Sequence, residues 1–273
     1  MLYSIKNFLK FYFKATTLYN VHSPFVYELI NYVFNSPVES RFSERIYIQR
    51  KNLLDSNQKI PVIDYGAGSR NKEVKDFDKV SRIASSAVSG TYKSKLLYNL
   101  CSYFKPSQML ELGTSLGISA AHMAQAGGKL TTLEGNEHIS EFAKKVWFNL
   151  NIDNISVING NFSKTLPEYL LTNNPDLVYL DGNHTYEATM DYFHKLNAVR
   201  TEKEMILIFD DIYWSEGMLK AWNEIRGKKE ISLSIDLYFY GLIFFKTDTI
   251  APQNYSLLPF KWKPWHIGFK PVK

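Results

Sequence analysis

Residues 109–119 read MLELGTSLGIS. An apolar run carries one acid, Glu111, and ends in a turn with two glycines, Gly113 and Gly117. The turn opens into ISAAHMAQAGG, a small-residue stretch of helical length. Strand, glycine turn and helix N-terminus, in that order, make a place where backbone can approach a ligand closely. Gly113 is assigned the tight turn, and Gly117 the removal of a side chain that would obstruct the ligand. A second stretch competes, PVIDYGAGSR at 61–70. It is followed by NKEVKDFDKVSR, which is charged and lacks an apolar stripe. That segment reads as a short strand or hairpin edge ending in a turn, and the ligand turn is placed at 109–119.

Working outward, strand-like apolar runs recur at 109–112, 130–133, 155–158, 177–180 and 205–209. Helix-length segments separate them at 117–126, 138–150, 164–172 and 185–199. Such alternation predicts a parallel sheet covered by helices. After a further helix at 216–226, ISLSIDLYFYGLIFFK (231–246) holds two strands with only a short turn between them, so they pair antiparallel. The expected class is therefore α/β: a Rossmann-like, seven-stranded, mainly parallel sheet closed by an antiparallel hairpin. Near the start, Leu2, Ile5, Phe8, Leu9, Tyr12 and Phe13 fall at helical spacing, with Lys6, Lys10 and Lys14 on another face. That helix reads as packed on the domain, or as a lid or a membrane-surface helix. HSPFVYELINYVF (22–34) predicts a second helix with Ser23 as N-cap and Pro24 at its first position. The expected division is a helical extension at 1–85, a ligand-binding domain at 86–250 and a basic aromatic tail at 251–273.

Composition narrows the classes. Net charge is +3 over 1–50, +4 over 251–273 and −2 between them. A phosphate-tracking face would spread its lysines more evenly, so nucleic acid is disfavoured. The single cysteine, Cys101, excludes an intrachain disulfide and a Cys-only metal site. No apolar run is long enough to span a membrane, and lysines interrupt the N-terminal apolar stretch. A cytoplasmic protein is expected, with a homodimer left open.

The ligand can be narrowed from spacing. A dinucleotide fingerprint needs three glycines at G-x-G-x-x-G, but Ser115 and Ile118 hold the second and third glycine places. Glu134, 21 residues after Gly113, ends the next apolar run, where a carboxylate can accept both hydroxyls of an adenosine ribose. Asn161 ends the third run and is offered to an adenine amino group, or else forms a local Asx turn. No lysine-bearing phosphate loop is present, so ATP fits poorly.

The runs LELGTSLGIS, TTLEGN, NGNFSKTLP, PDLVYLDGNHTYEATMDYF and ILIFDDIYWSEGM, in this order, resemble the class I S-adenosylmethionine-dependent methyltransferases. Within them the chain is most similar to the catechol and macrocin O-methyltransferase-like groups, over roughly 86–250. The resemblance implies that Glu111, Gly113 and Gly117 border the methionine part of S-adenosylmethionine. It implies that Glu134 holds the ribose, and that Asn161 and the backbone of Phe162 meet the adenine. The family more often has Asp where this chain has Asn161.

Asp181 ends the fourth run, and Asp210 and Asp211 end the fifth. In a parallel sheet these ends share one edge, and oxygen-only donors there favour Mg²⁺ or Ca²⁺, of which Mg²⁺ keeps positions open for substrate oxygens. The metal-dependent relatives use Asp, Asp and Asn, whereas the third position here is Asp211. His184 stands three positions after Asp181, where catechol-type enzymes have lysine, and is read as a base or as a helix-start hydrogen bonder. The expected activity is O-methylation of a small-molecule hydroxyl, with Mg²⁺ assistance left open. The rivals are an RNA or protein methyltransferase and a non-catalytic S-adenosylmethionine-binding protein.

Overall fold

The computed structural model describes residues 2–34, 41–63, 74–87, 91–200, 205–245 and 252–265. The helices among them are α1 (Leu2–Lys14), α2 (Pro24–Leu29), α3 (Arg41–Leu54), α4 (Val80–Ala87), α5 (Thr91–Phe104), α6 (Ile118–Gln125), α7 (Glu137–Leu150), α8 (Phe162–Leu170), α9 (Tyr186–Val199) and α10 (Glu216–Ile225). The strands are β1 (Lys59–Ile63), β2 (Val74–Lys79), β3 (Gln108–Leu112), β4 (Lys129–Glu134), β5 (Ile155–Asn159), β6 (Leu177–Leu180), β7 (Ile206–Asp210), β8 (Ile231–Asp236), β9 (Tyr240–Phe245) and β10 (Gln253–Ser256). The chain divides into a middle unit, Pro37–Asn183 with Lys195–Arg200, and a terminal unit, Met1–Ser36 with His184–His194 and Thr201–Lys273.

In the middle unit four strands lie in the order β6-β3-β4-β5, all parallel. Each connection is long enough to need a crossover helix, and α6, α7 and α8 supply them. β6 reads LVYL and is buried along its whole length, as a strand covered on both faces must be. β4 and β5 step away from β3 on one side, while β6 returns to its other side. The strand order therefore reverses at β3, and the turn at Gly113 leaves its carboxyl end at that switch point. β1 and β2 form a separate antiparallel pair, Ile60 opposite Asp78, so the 61–63 segment is a hairpin edge as expected. The glycine turn at 64–69 lies outside the described residues.

The terminal unit carries β10-β8-β9-β7. β8 and β9 form the expected antiparallel hairpin, and β9 pairs antiparallel with β7. The Rossmann-like α/β class is thus present with all seven anticipated strands. β10 is an eighth, pairing parallel with β8; its short polar run, QNYS, carries no apolar signal. The expected helices α1 and α2 both form. Ser23 Oγ accepts a hydrogen bond from the Val26 N–H, and Pro24 occupies the first helical position of α2.

The described part of the tail locks onto α1. Thr16 bridges Leu257, and the Tyr12 hydroxyl donates to the Trp262 carbonyl at 2.8 Å. Lys263 is buried, and its Nζ donates to the Ala15 carbonyl at 2.7 Å, just past the helix end. A cation is favoured there because the last carbonyls of a helix lack intrahelical donors. Burial lowers the Lys263 pKa. Residues 252–265 thus clamp the terminal unit's sheet and first helix.

Candidate functional site

The ligand turn is built over a buried polar network. Register sets Glu111 beside Thr132 on β4 and Tyr179 on β6, in the middle of the sheet. Its carboxyl is fully buried; Ser119 Oγ donates to Oε1 at 2.5 Å and Thr132 Oγ1 donates to Oε2 at 2.7 Å. The Thr114 hydroxyl lies 2.7 Å from Thr132 Oγ1 and extends the network to the turn. Burial, with smaller contributions from the Asp181 and Glu134 charges, pushes the Glu111 pKa up to about 8. Both oxygens face protein hydroxyls, so Glu111 braces the turn from beneath.

Gly113 has φ +102°, and a Cβ there would stand 2.4 Å from the Asp181 carbonyl oxygen. The close approach is between the ends of β3 and β6, where the Asp181 N–H donates to the Leu112 carbonyl at 2.9 Å. Gly117 caps α6 in a left-handed conformation, φ +78°. A Cβ on it would meet the Trp147 indole at 2.5 Å, and the same indole N–H donates to the Gly117 carbonyl at 2.8 Å. The space cleared by Gly117 is thus filled by α7 packing, a different cause from the ligand access anticipated for it.

Glu134 sits at the end of β4 with its carboxylate turned to the glycine turn. Oε2 accepts from the Ser115 N–H at 3.0 Å and Oε1 from the Asn136 N–H at 3.0 Å. Burial raises its pKa and these backbone donors oppose the rise. Asn136 then caps α7, accepting from His138 N at 3.0 Å, and its Nδ2 donates to the Pro61 carbonyl at 3.3 Å, tying this end of the sheet to the β1 hairpin. Ser115 is held at φ +47°, and its buried hydroxyl has no hydrogen-bond partner among the described residues. A buried hydroxyl without a partner is costly unless a ligand satisfies it.

Asn161 caps α8, its Oδ1 accepting from the Ser163 N–H at 2.9 Å, so the local Asx-type role is realised. The Phe162 ring packs where a side chain at Gly182 would be, 2.6 Å from a Cβ built there. Asp181 follows β6 and accepts from the Tyr179 hydroxyl at 3.1 Å. The middle unit therefore brings together Glu111, Gly113, Gly117, Glu134, Asn161, Phe162 and Asp181 around the carboxyl ends of its strands. His184, Asp210 and Asp211 belong to the terminal unit. There, the His184 and Trp214 rings are 6.4 Å apart, and Asp210 Oδ1 accepts from the Asp211 N–H at 2.8 Å.

Among the described residues, no group of three or more His, Cys, Asp or Glu is placed to hold a metal ion. The expected ligands fall in different units, Asp181 in the middle unit and Asp210 and Asp211 in the terminal unit, and within those units Asp181 and Asp210 each accept a hydrogen bond from the protein. Thr114, Ser119, Thr132, Asn136 and Trp147 were not anticipated as parts of the site. Two threonines inside the apolar run LTTL were the available signal, since buried hydroxyls demand partners.

Residues 110–212 match the family model described as "Methyltransferase domain". No curated protein matches the chain. Among solved structures, the S-adenosylhomocysteine-bound methyltransferase PaMTH1 of Podospora anserina is similar at 13% identity, TM-score 0.57, covering 83% of this chain and 97% of its own. An O-methyltransferase from Bacillus cereus, in complex with S-adenosylhomocysteine, is similar at 19% identity and TM-score 0.51, covering 80% of this chain and 96% of its own. A methyltransferase from Geobacter sulfurreducens follows at 12% identity and TM-score 0.53, with 80% and 96% covered. At these identities the structures share the fold. On the family match over residues 110–212 and that shared fold, the resemblance to the class I S-adenosylmethionine-dependent methyltransferases holds.

Proposed function

We propose that the chain transfers a methyl group from S-adenosylmethionine to a hydroxyl oxygen of a small molecule. The observation that carries the reading is the Glu134 carboxylate, fixed by two backbone N–H groups beside the Gly113–Gly117 turn at the switch point of the sheet. Glu134 would take the ribose hydroxyls, and Asn161 with the backbone of Phe162 the adenine. The bare backbone at Gly113 and the partnerless Ser115 hydroxyl would receive the methionine end. Glu111 and Gly117 act through the turn: one holds it from below, the other lets Trp147 pack against it.

When bound, S-adenosylmethionine supplies a sulfonium methyl that an acceptor oxygen takes by in-line displacement. The protein's work is to orient that oxygen and remove its proton. Asp181, held by Tyr179, is assigned to the acceptor hydroxyl, and His184, three residues along the chain, to the proton. The choice of oxygen rests on the resemblance and on the O-methyltransferase of similar fold from Bacillus cereus.

Calorimetric titration with S-adenosylhomocysteine tests the reading. Wild type should bind, and Glu134→Ala should weaken binding about 100-fold, the order expected for a carboxylate accepting two hydrogen bonds. His184→Ala should keep that affinity and lose methyl transfer to hydroxylated small molecules by about 100-fold or more. Binding untouched by Glu134→Ala would remove the ribose assignment.

A further inference from the structure

The terminal unit leaves one face of its first helix unsatisfied. At about 100° per residue, α1 presents four adjoining rows. Asn7, Phe11 and Ala15 form the buried row. Next come Phe8 and Tyr12, which carry the tail: the Phe8 and Trp262 rings meet edge-on, 6.1 Å apart. The third row is apolar yet exposed: Ile5 at 51%, Leu9 at 47% and Phe13 at 77%. The fourth is Lys6, Lys10 and Lys14, all exposed. Packing inside the unit explains the first two rows and not the last two. The tail adds exposed Lys261 and Trp265 in the same unit, the latter 67% exposed.

We propose that this face of α1 docks on an anionic membrane surface. An apolar stripe flanked by lysines on one side and by a tryptophan-bearing segment on the other is the arrangement an interfacial helix needs. The stripe enters the acyl boundary, the lysines meet anionic headgroups, and tryptophan sits at headgroup level. The charges select this occupant over a second copy of the chain. An antiparallel two-fold contact along the stripe, the arrangement the helix dipoles favour, would bring the two lysine rows together, a like-charge juxtaposition. An RNA partner would use the lysines but leave Ile5, Leu9 and Phe13 unexplained. No described helix is long and apolar enough to cross a membrane, so the contact is peripheral. The inference does not depend on the methyl-transfer reading, because none of these residues is in the cofactor site.

Sedimentation of the full chain with vesicles tests it. Wild type should bind vesicles of phosphatidylcholine containing about one quarter phosphatidylserine, and bind pure phosphatidylcholine far less. Binding should fall between about 0.1 M and about 0.5 M salt as headgroup charge is screened. Lys6→Gln with Lys10→Gln should weaken anionic binding about 25-fold, at about fivefold per lysine. Leu9→Ser with Phe13→Ser should weaken it more than tenfold, since both side chains would leave the acyl boundary. Unchanged urea midpoints would show both variants folded, as expected for exposed positions. No wild-type binding to anionic vesicles, or equal binding by the serine variant, overturns the proposal. So does a doubled mass by light scattering that the serine variant abolishes, which would assign the stripe to self-association.

Discussion

Replacing Gly113 by alanine should cost about 4 kcal/mol of folding stability and remove detectable S-adenosylhomocysteine binding, for two separable reasons. The first is backbone strain, because φ +102° lies outside what an L side chain tolerates. The second is a collision: the added Cβ would sit 2.4 Å from the Asp181 carbonyl oxygen, with the Asp181 carbonyl carbon at 3.0 Å. Neither is a rotatable side chain, so the ends of β3 and β6 must separate. That separation breaks the Asp181 N–H to Leu112 carbonyl bond and displaces the turn that carries Ser115 toward Glu134. Gly127 is the internal control. It has φ +95° and nothing within 4 Å of a built Cβ, so Gly127→Ala should cost only the strain, about 1–2 kcal/mol. Urea denaturation of the two variants measures the difference. Equal losses would mean that the β3–β6 approach is looser than described.

The same residue shows what could be read from the chain alone. A glycine between an apolar run and a helix announces a turn, and that much of Gly113 was legible. Its partner was not, because Asp181 lies 68 residues away and only the return of β6 to the far side of β3 brings them together. Gly117 is the sharper case. Its side-chain-free position was readable, but its cause, the Trp147 indole, comes from a helix one crossover later. Asn161 had two readings, and the hydrogen bond to Ser163 N is the local one; local chemistry is what spacing reports best. The parallel strands were legible because buried strands carry unbroken apolar runs. β10 was not, since an edge strand joined to one neighbour needs little apolar surface. For the acids, strand ends were legible, but not the donors that each carboxylate would find at home, the Tyr179 hydroxyl for Asp181 and a backbone N–H for Asp210.

The pH dependence of stability should carry the signature of Glu111. Its folded pKa lies near 8 against an ordinary value of 4.5, so between these limits the folded chain holds a proton that the unfolded chain has lost. Stability must then fall as pH rises from about 5 to about 8, by on the order of 1 kcal/mol per pH unit and roughly 3–5 kcal/mol in all. Burial also raises Glu134 and Asp236, which act in the same direction. His122, lowered by burial, acts oppositely: the unfolded chain binds its proton first, so its contribution rises with pH up to its ordinary value of 6.5. Glu111→Gln separates Glu111 from all three. The amide keeps the size of the side chain, and the rotatable hydroxyls of Ser119 and Thr132 can serve it, one donating and one accepting. The variant should match wild type near pH 5 and exceed it by a few kcal/mol near pH 8. Urea unfolding of both chains across that range measures the gap. Parallel curves would mean that the carboxyl is ionised in the folded chain throughout, and that the hydroxyl network stabilises a charge rather than a neutral acid beneath the turn.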